Sequence, residues 1–392
     1  MKDFLRNILK PKYEVLNRIE IIAANLVANY DYLKSLQPDA ALFPVLKSNA
    51  YGHGLKEVCQ ILNATDAPLV AVDSYPEAQI VYRYFTRKVL ILGEMPPGAY
   101  RYCKLPRTEF VVYNVATLKY LARYGKKAQI HLFVNSGMNR EGLQGLAGFL
   151  TANKKYLDRV DVVGLCSHLA SADQASALNQ EQENNFMAAL ATLRSAGYFP
   201  RWVHLGNSAA IFTIHNKLLT AYRPGLAFYG YSPFADRMNN QEGSREEGLD
   251  KKAALLKPAL NIFSRLVAIQ DLKPGASVSY GETYRAPDQV KIGVMPFGYF
   301  EGLDRRLSNR AQFSVQGEGG DFWAKVAGQV CMNLTCLEIG HNAARVGAKV
   351  QIVSANPSDP NSVAKLADLM GTISYELLVK LSAGIRREIV KN

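Results

Sequence analysis

The chain lacks any paired-cysteine signature. Its five cysteines, Cys59, Cys103, Cys166, Cys331 and Cys336, are odd in number and form no CxxC step. That excludes a disulfide framework and a thiolate metal knuckle, so reduced thiols in a cytoplasmic protein are expected. No apolar run reaches the roughly 20 residues of a membrane helix, so no membrane partner is expected. The opening stretch MKDFLRNILKPKYEVLNR is charged and has no continuous apolar core, unlike a secretory leader. Dense basic runs are also missing. The formal charge of +12 is spread along 392 residues, so a nucleic-acid surface is not expected, whereas an anionic small substrate or cofactor fits. No GxGxxG follows the first strand-like run, which argues against an open dinucleotide-binding sheet. Repeats and low-complexity tracts are absent.

What is present is alternation. Short apolar, β-branched runs are expected as strands over Leu42–Lys47, Pro68–Val72, Lys88–Leu92, Glu109–Tyr113, Gln129–Val134, Val160–Leu165, Trp202–Leu205 and Leu219–Arg223. Run-like strands of this kind suit a parallel sheet covered on both faces. Helical patterns lie between them over Leu55–Ala64, Pro76–Phe85, Val115–Tyr124 (with Gly125 as its cap) and Gln180–Ala196. Eight such repeats predict an α/β fold, a closed (β/α)8 TIM-like barrel over residues 14–255. After the hinge-like ALLKPAL the texture changes. Strands are expected over Ser264–Gln270, Val290–Val294, Phe313–Gln316, Phe322–Ala327, Asn333–Ile339 and Lys349–Val353, with helices over Ser362–Met370 and Tyr375–Leu381. The reading is a mostly β C-terminal domain over 256–392, joined by residues 1–13.

Barrels of this class carry their functional groups where strands end. Strand one ends in VLKSNAYGHG, with Lys47 and Tyr51. Strand five leads into NSGMNREG, with Arg140. Strand six leads into CSHLASAD, with His168. Strand seven leads into GNSAA, with Asn207 and Ser208, and strand eight ends at Arg223, followed by Pro224, Gly225 and Leu226. Loops seven and eight are the usual phosphate corner, where Ser208 offers a hydroxyl and the Gly225 and Leu226 amides approach closely. A lysine facing that corner suggests pyridoxal 5'-phosphate (PLP), a phosphorylated aldehyde held as a Schiff base. Each residue also has a bland role. Lys47 could end a strand in solvent, His168 could be a satisfied core histidine, Arg223 could pair with a carboxylate, and Asn207 could cap the next helix. Their convergence on one rim favours the site.

The motifs AxxxxVxKxNAYGHG, GMxR, SHxAxAD, NSAA, RPGLAFYG, VSYGxTY, GxxCMN and TISYE, in this order from Ile21 to Arg387, resemble the alanine racemases, PLP enzymes built as a barrel plus a β domain. The resemblance implies Lys47 as the Schiff-base lysine and one catalytic base. Tyr280 of VSYGETY is implied as the opposing base, reaching the partner's site in a homodimer. It implies Arg223 against the pyridine nitrogen, with His168 beside it. Tyr51, Ser208, Gly225, Leu226 and Tyr375 would hold the phosphate, with Asn207 nearby. Arg140 and the Met332 backbone would meet the substrate carboxylate, and Tyr299 would line the entry channel. The implied activity is interconversion of L- and D-alanine, supplying D-alanine for the cell wall.

A racemase of wider range, acting on serine, lysine or arginine, is the nearest alternative. A barrel-type PLP decarboxylase would need a catalytic cysteine, for which Cys331 is the candidate, and an acid-recognition loop that the sequence does not reveal. A PLP carrier would resemble the barrel alone. Three positions depart from the family pattern. Phe133 stands where many members have a carbamylated lysine, Asn135 replaces an aspartate, and Asn333 replaces the aspartate of CMD. The first change removes the anion expected to hold Arg140, leaving it to recruit a chloride or to shift.

Overall fold

The computed structural model describes residues 15–234 and 248–391. The segment 1–13, expected to join the C-terminal domain, lies outside the described residues. Strand β1 (Arg18–Ile22) and the helix Ala23–Leu36 lead into β2 (Ala41–Leu42). The following strands are β3 (Leu69–Val72), β4 (Lys88–Ile91), β5 (Thr108–Val112), β6 (Gln129–Phe133), β7 (Asp161–Cys166), β8 (Trp202–His204) and β9 (Ala221–Tyr222). β3 to β8 form one parallel sheet in chain order, and β2 pairs with β9. Two seams close the ring. Leu46 N–H donates to Ala71 C=O at 2.7 Å, and Thr220 N–H donates to Val203 C=O at 2.9 Å. The result is the expected eight-stranded barrel. Its strands are mostly buried, as β3 illustrates with four consecutive buried residues, which is what helices packed outside and side chains packed inside require.

The first and last barrel strands are shorter than expected. Pro44 has no N–H and Pro224 follows Arg223, so each interrupts a ladder that hydrogen bonds from Phe43 and Val45 otherwise continue. The helix from Val115 also stops early, at Leu121. Gly125 is not its cap but sits at φ +64° in the 3-10 turn that follows.

Strands β10 (Leu260–Arg265), β11 (Ala268–Leu272), β12 (Ser277–Val278), β13 (Tyr284–Arg285), β14 (Val290–Met295), β15 (Gln312–Val315), β16 (Phe322–Val326), β17 (Thr335–Gly340), β18 (Lys349–Val353) and β19 (Arg386–Val390) complete the chain. The nine-stranded sheet runs β11-β14-β17-β16-β15-β18-β10-β1-β19. This corrects two expectations. β1, placed in the barrel by the boundary at residue 14, pairs with β10 and β19 of the C-terminal sheet. The single strand expected over Ser264–Gln270 is two strands. At Leu266 and Val267 the chain turns from Ala348 to Val294 as its partner. The helices Val363–Met370 and Ser374–Val379 follow, and the second brings Tyr375 to the mouth of the barrel.

Candidate active site

The loop after Lys47 is held in a left-handed backbone turn. Ser48, Asn49, Ala50 and Tyr51 all have φ between 51° and 56°, a left-handed turn of non-glycine residues. Each residue there costs about 1–2 kcal/mol, so the turn persists only because its surroundings hold it. Glu77 accepts from Ser48 N–H at 2.6 Å, and Asn49 Oδ1 accepts from Leu55 N–H at 2.9 Å. Arg387, on β19, donates to Gly52 C=O through Nε at 3.0 Å and Nη2 at 2.9 Å. Gly52 lies against the next domain so closely that a Cβ would sit 2.0 Å from Leu378 O. The turn leaves Lys47 at the barrel mouth and swings Tyr51 inward.

Tyr51 is buried, stacked on Tyr229 with ring centroids 5.0 Å apart, and 5.8 Å from the Tyr375 ring. Burial pushes its phenol up to about 12, so it remains a neutral donor. A Cβ on Gly225 would meet Tyr51 Oη at 2.6 Å. Ser208 Oγ accepts from Gly225 N–H at 2.9 Å and Ala227 N–H at 3.2 Å, which leaves its own proton to donate. Asn207 lines the same cavity, but its Oδ1 accepts from the Ala209 and Ala210 amides, the capping role. Leu226 is fully buried and its side chain belongs to the core.

Arg223 is buried among acceptors. Nη1 donates to His204 O at 2.8 Å and to His204 Nδ1. Nη2 donates to Ser167 O at 2.5 Å and to His168 Nδ1 at 3.2 Å. Because arginine only donates, His168 Nδ1 is an acceptor and its proton sits on Nε2. Burial, with the charges of Arg223, Arg140 and Lys47, lowers His168 to about 3, so the ring is neutral.

Lys47, Tyr51, Arg140, His168, Arg223 and Tyr375 line one cavity of about 590 Å³, together with Asn207, Ser208 and Gly225. Phe133 forms part of its wall, 6.0 Å from the Tyr113 ring. The expectation of an unpaired Arg140 needs correction. Glu141 Oε1 lies 2.7 Å from Arg140 Nη2, so a neighbouring residue supplies the anion that Phe133 cannot. Asn135 organises the same loop, accepting from the Gly137 and Asn139 amides at 3.0 and 3.1 Å.

Three expected site residues are elsewhere. Tyr280, Tyr299 and Met332 stand on the C-terminal domain, outside this cavity, with exposures of 71%, 46% and 56%. Tyr280 follows β12, after Ser279 at φ +66°, and shares a smaller cleft with Tyr299 and Cys331. Asn333 donates to Glu301 Oε1 at 3.0 Å, and Glu301 Oε2 accepts from Gly298 N–H at 2.8 Å. Sequence reasoning missed Glu141 and Arg387. It also missed the buried Glu109, His131 and His204, whose signal was a polar residue inside an apolar strand run.

The donor set fits PLP. The cavity lies within the 300–1,000 Å³ range of small-molecule sites. It offers an amine at one side, a cradle that a Gly225 Cβ would close, and a fixed cation against its wall. Among the described residues no cluster could hold a metal ion, and no helix is long and apolar enough to cross a membrane.

Comparison with known proteins points the same way. Residues 21–233 match the family model of the alanine racemase N-terminal domain, and residues 259–389 match that of the C-terminal domain. The alanine racemase of Citrifermentans bemidjiense is 33% identical over 376 residues, covering 92% of this chain and 94% of that one. That of Lactobacillus acidophilus is 32% identical over 366 residues, covering 91% and 92%. The solved alanine racemase of Clostridium difficile superposes with a TM-score of 0.84 at 27% identity, covering 96% of each chain.

Proposed function

The chain belongs to the alanine racemase family, whose cofactor is PLP, and on that premise we propose how its own residues interconvert L- and D-alanine. The observation that carries the reading is the single cavity that unites Lys47 with Tyr51, Ser208, Gly225, Arg223 and Arg140. Lys47 is the amine that takes the cofactor's aldehyde, and Tyr51, Ser208, Gly225, Leu226 and Tyr375 hold its phosphate, with Asn207 nearby. Arg223 faces the ring nitrogen. When bound, the cofactor supplies an electron sink for the charge left at the α-carbon. A guanidinium cannot protonate and deprotonate there, so Arg223 orients the ring and keeps it a modest sink. Arg140 receives the substrate carboxylate.

Racemisation takes the α-proton from one face and returns one to the other, so it needs a base on each. Lys47 serves one face. Tyr280 serves the other from a second copy of the chain, with Met332 and Tyr299 at the same entrance. Exposed Tyr280, Tyr299, Phe300, Met332 and Leu334 support such a homodimer. Hydrogen bonds from Tyr299 N–H to Cys331 O and from Phe300 N–H to Met332 O join the last four, Tyr280 shares a cleft with Tyr299 and Cys331, and exposed apolar clusters mark association surfaces. The product would be D-alanine for cell-wall synthesis. The five free thiols support a reducing, cytoplasmic setting.

The test uses PLP-loaded protein and L- or D-alanine in heavy water, following α-proton exchange by NMR and the D/L ratio by chiral chromatography. Exchange with inversion is expected. In Tyr280→Phe, exchange should survive in one enantiomer only, without inversion. Undiminished racemisation by that variant would overturn the role of Tyr280.

A further inference from the structure

Barrel interiors are normally filled by branched apolar side chains. Along one line through this barrel, from the start of β4 to the residue after β9, the side chains are polar and continuously hydrogen-bonded. Lys88 on β4 donates to Glu109 Oε1 on β5 at 2.8 Å. Glu109 Oε2 lies 2.8 Å from His131 Nε2 on β6, and His131 Nδ1 lies 2.8 Å from His204 Nε2 on β8. His204 Nδ1 meets Arg223 Nη1. On β7, between the two histidine strands, stands Gly164, where a Cβ would lie 2.0 Å from His131 Nδ1. Glu109 is 2% exposed and both rings are fully buried.

The protons in this chain have one arrangement. Arginine only donates, so His204 Nδ1 must accept and its proton sits on Nε2. That N–H points at His131 Nδ1, which must therefore accept, so His131 is also neutral and protonated at Nε2. Its N–H requires an acceptor, and so does the Lys88 ammonium on the other oxygen. Only a carboxylate accepts on both sides.

From this geometry we infer that Glu109 is a positioning residue for Arg223: through His131 it sets the tautomer of His204, which presents a lone pair to the guanidinium. The reversed tautomers would aim an N–H at Arg223 and push it from the cavity wall. Burial works to raise the Glu109 carboxyl, but the hydrogen bond from His131 and the Lys88 ammonium hold it below the ordinary carboxylate value. Burial and the Arg223 charge hold His204 well below the ordinary imidazole value. The inference rests on the proposed role of Arg223 at the cofactor ring.

The test starts with cofactor-free protein labelled with 15N at its six histidines. In the wild type, the rings of His131 and His204 are expected as neutral Nε2–H tautomers. An Nδ1–H or doubly protonated ring at either position would overturn the inference without any variant. Glu109→Gln turns one acceptor into a donor. The amide then either meets Lys88, which also donates to Gln129 Oε1, donor to donor, or faces His131 and reverses both rings. Reversed or mixed tautomers are expected, with kcat of the loaded enzyme falling by about tenfold or more, the worth of one misplaced charge-assisted hydrogen bond. Adding Lys88→Met removes the clash and should restore both the tautomers and the rate to those of Lys88→Met alone. Unaltered tautomers in Glu109→Gln, altered tautomers with full activity, or no rescue by the double variant would each sink the inference. A wild type with the expected tautomers but no racemisation would instead refute the functional reading.

Discussion

Restoring the family's aspartate at position 333 should damage this protein. Asn333 donates to Glu301 Oε1 at 3.0 Å. In Asn333→Asp that donor becomes a second carboxylate facing the first. At the same separation two unit charges repel by about 1.4 kcal/mol in a water-like dielectric, and by roughly 5 kcal/mol at the effective value near a protein surface. Asn333 is exposed and Glu301 half-buried, so screening holds the effect near the lower figure. Lost with it is a hydrogen bond to a charged group, worth about 1.5–3 kcal/mol. The carboxylates relieve part of this by swinging apart, leaving about 1–2 kcal/mol, or roughly 5- to 30-fold, against the observed loop. That loop carries Met332, beside the proposed substrate carboxylate, and its backbone holds Phe300. kcat/KM for alanine should fall by that factor at low ionic strength. Concentrated salt should return part of it, and a second change, Glu301→Gln, should return most. An Asn333→Asp enzyme as active as its parent at low salt would refute the reasoning.

Burial lowers His53 to about 4 and His168 to about 3, and puts His204 well below its ordinary value. The unfolded chain therefore binds more protons than the folded one between about pH 4 and the ordinary imidazole value near 6.5. Stability should be full above that window and fall with pH through it, with a slope of up to about 4 kcal/mol per pH unit. Urea midpoints of the cofactor-free protein that stay flat across the window would contradict this. Gly52→Ala combines φ +77° with a Cβ placed 2.0 Å from Leu378 O, a backbone atom with nowhere to go. It should destabilise by about 4 kcal/mol or more, and thermal unfolding together with cofactor absorbance would register the loss. Glu141→Gln releases the half-buried partner of an exposed Arg140, a pair worth about 0.2–1 kcal/mol. KM for alanine should rise by roughly 1.5- to 5-fold with kcat unchanged, and a fall in kcat alone would contradict a ground-state role.

Much of the cavity was legible because each motif sits where a barrel strand ends, and closing the barrel brings strand ends to one rim. Lys47, Arg140, His168, Ser208 and Arg223 arrive together in that way. Tyr280, Tyr299 and Met332 do not, because their domain points them away from the cavity of their own chain. Glu141 escaped notice because a charge next to Arg140 in a loop looks like any solvated pair. The relay from Lys88 to Arg223 left a faint trace, a histidine in QIHLF and a glutamate in TEFVV, that only side-chain direction could make meaningful.

The sequence by itself determined the type and order of the eight barrel strands, since apolar spacing, proline and glycine act within a few residues. It determined the chemistry on offer at each strand end for the same reason. The tertiary structure decided what local signals cannot carry. β1 joins β10 and β19, more than two hundred residues away in the chain, because register partners are chosen by long-range packing. Four residues after Lys47 adopt a left-handed turn that their own preferences oppose, because Glu77, Arg387 and Leu378 surround it. Arg223 meets His204, which joins through His131 to Glu109 three strands away, because side-chain direction inside the barrel is settled only when the strands pack.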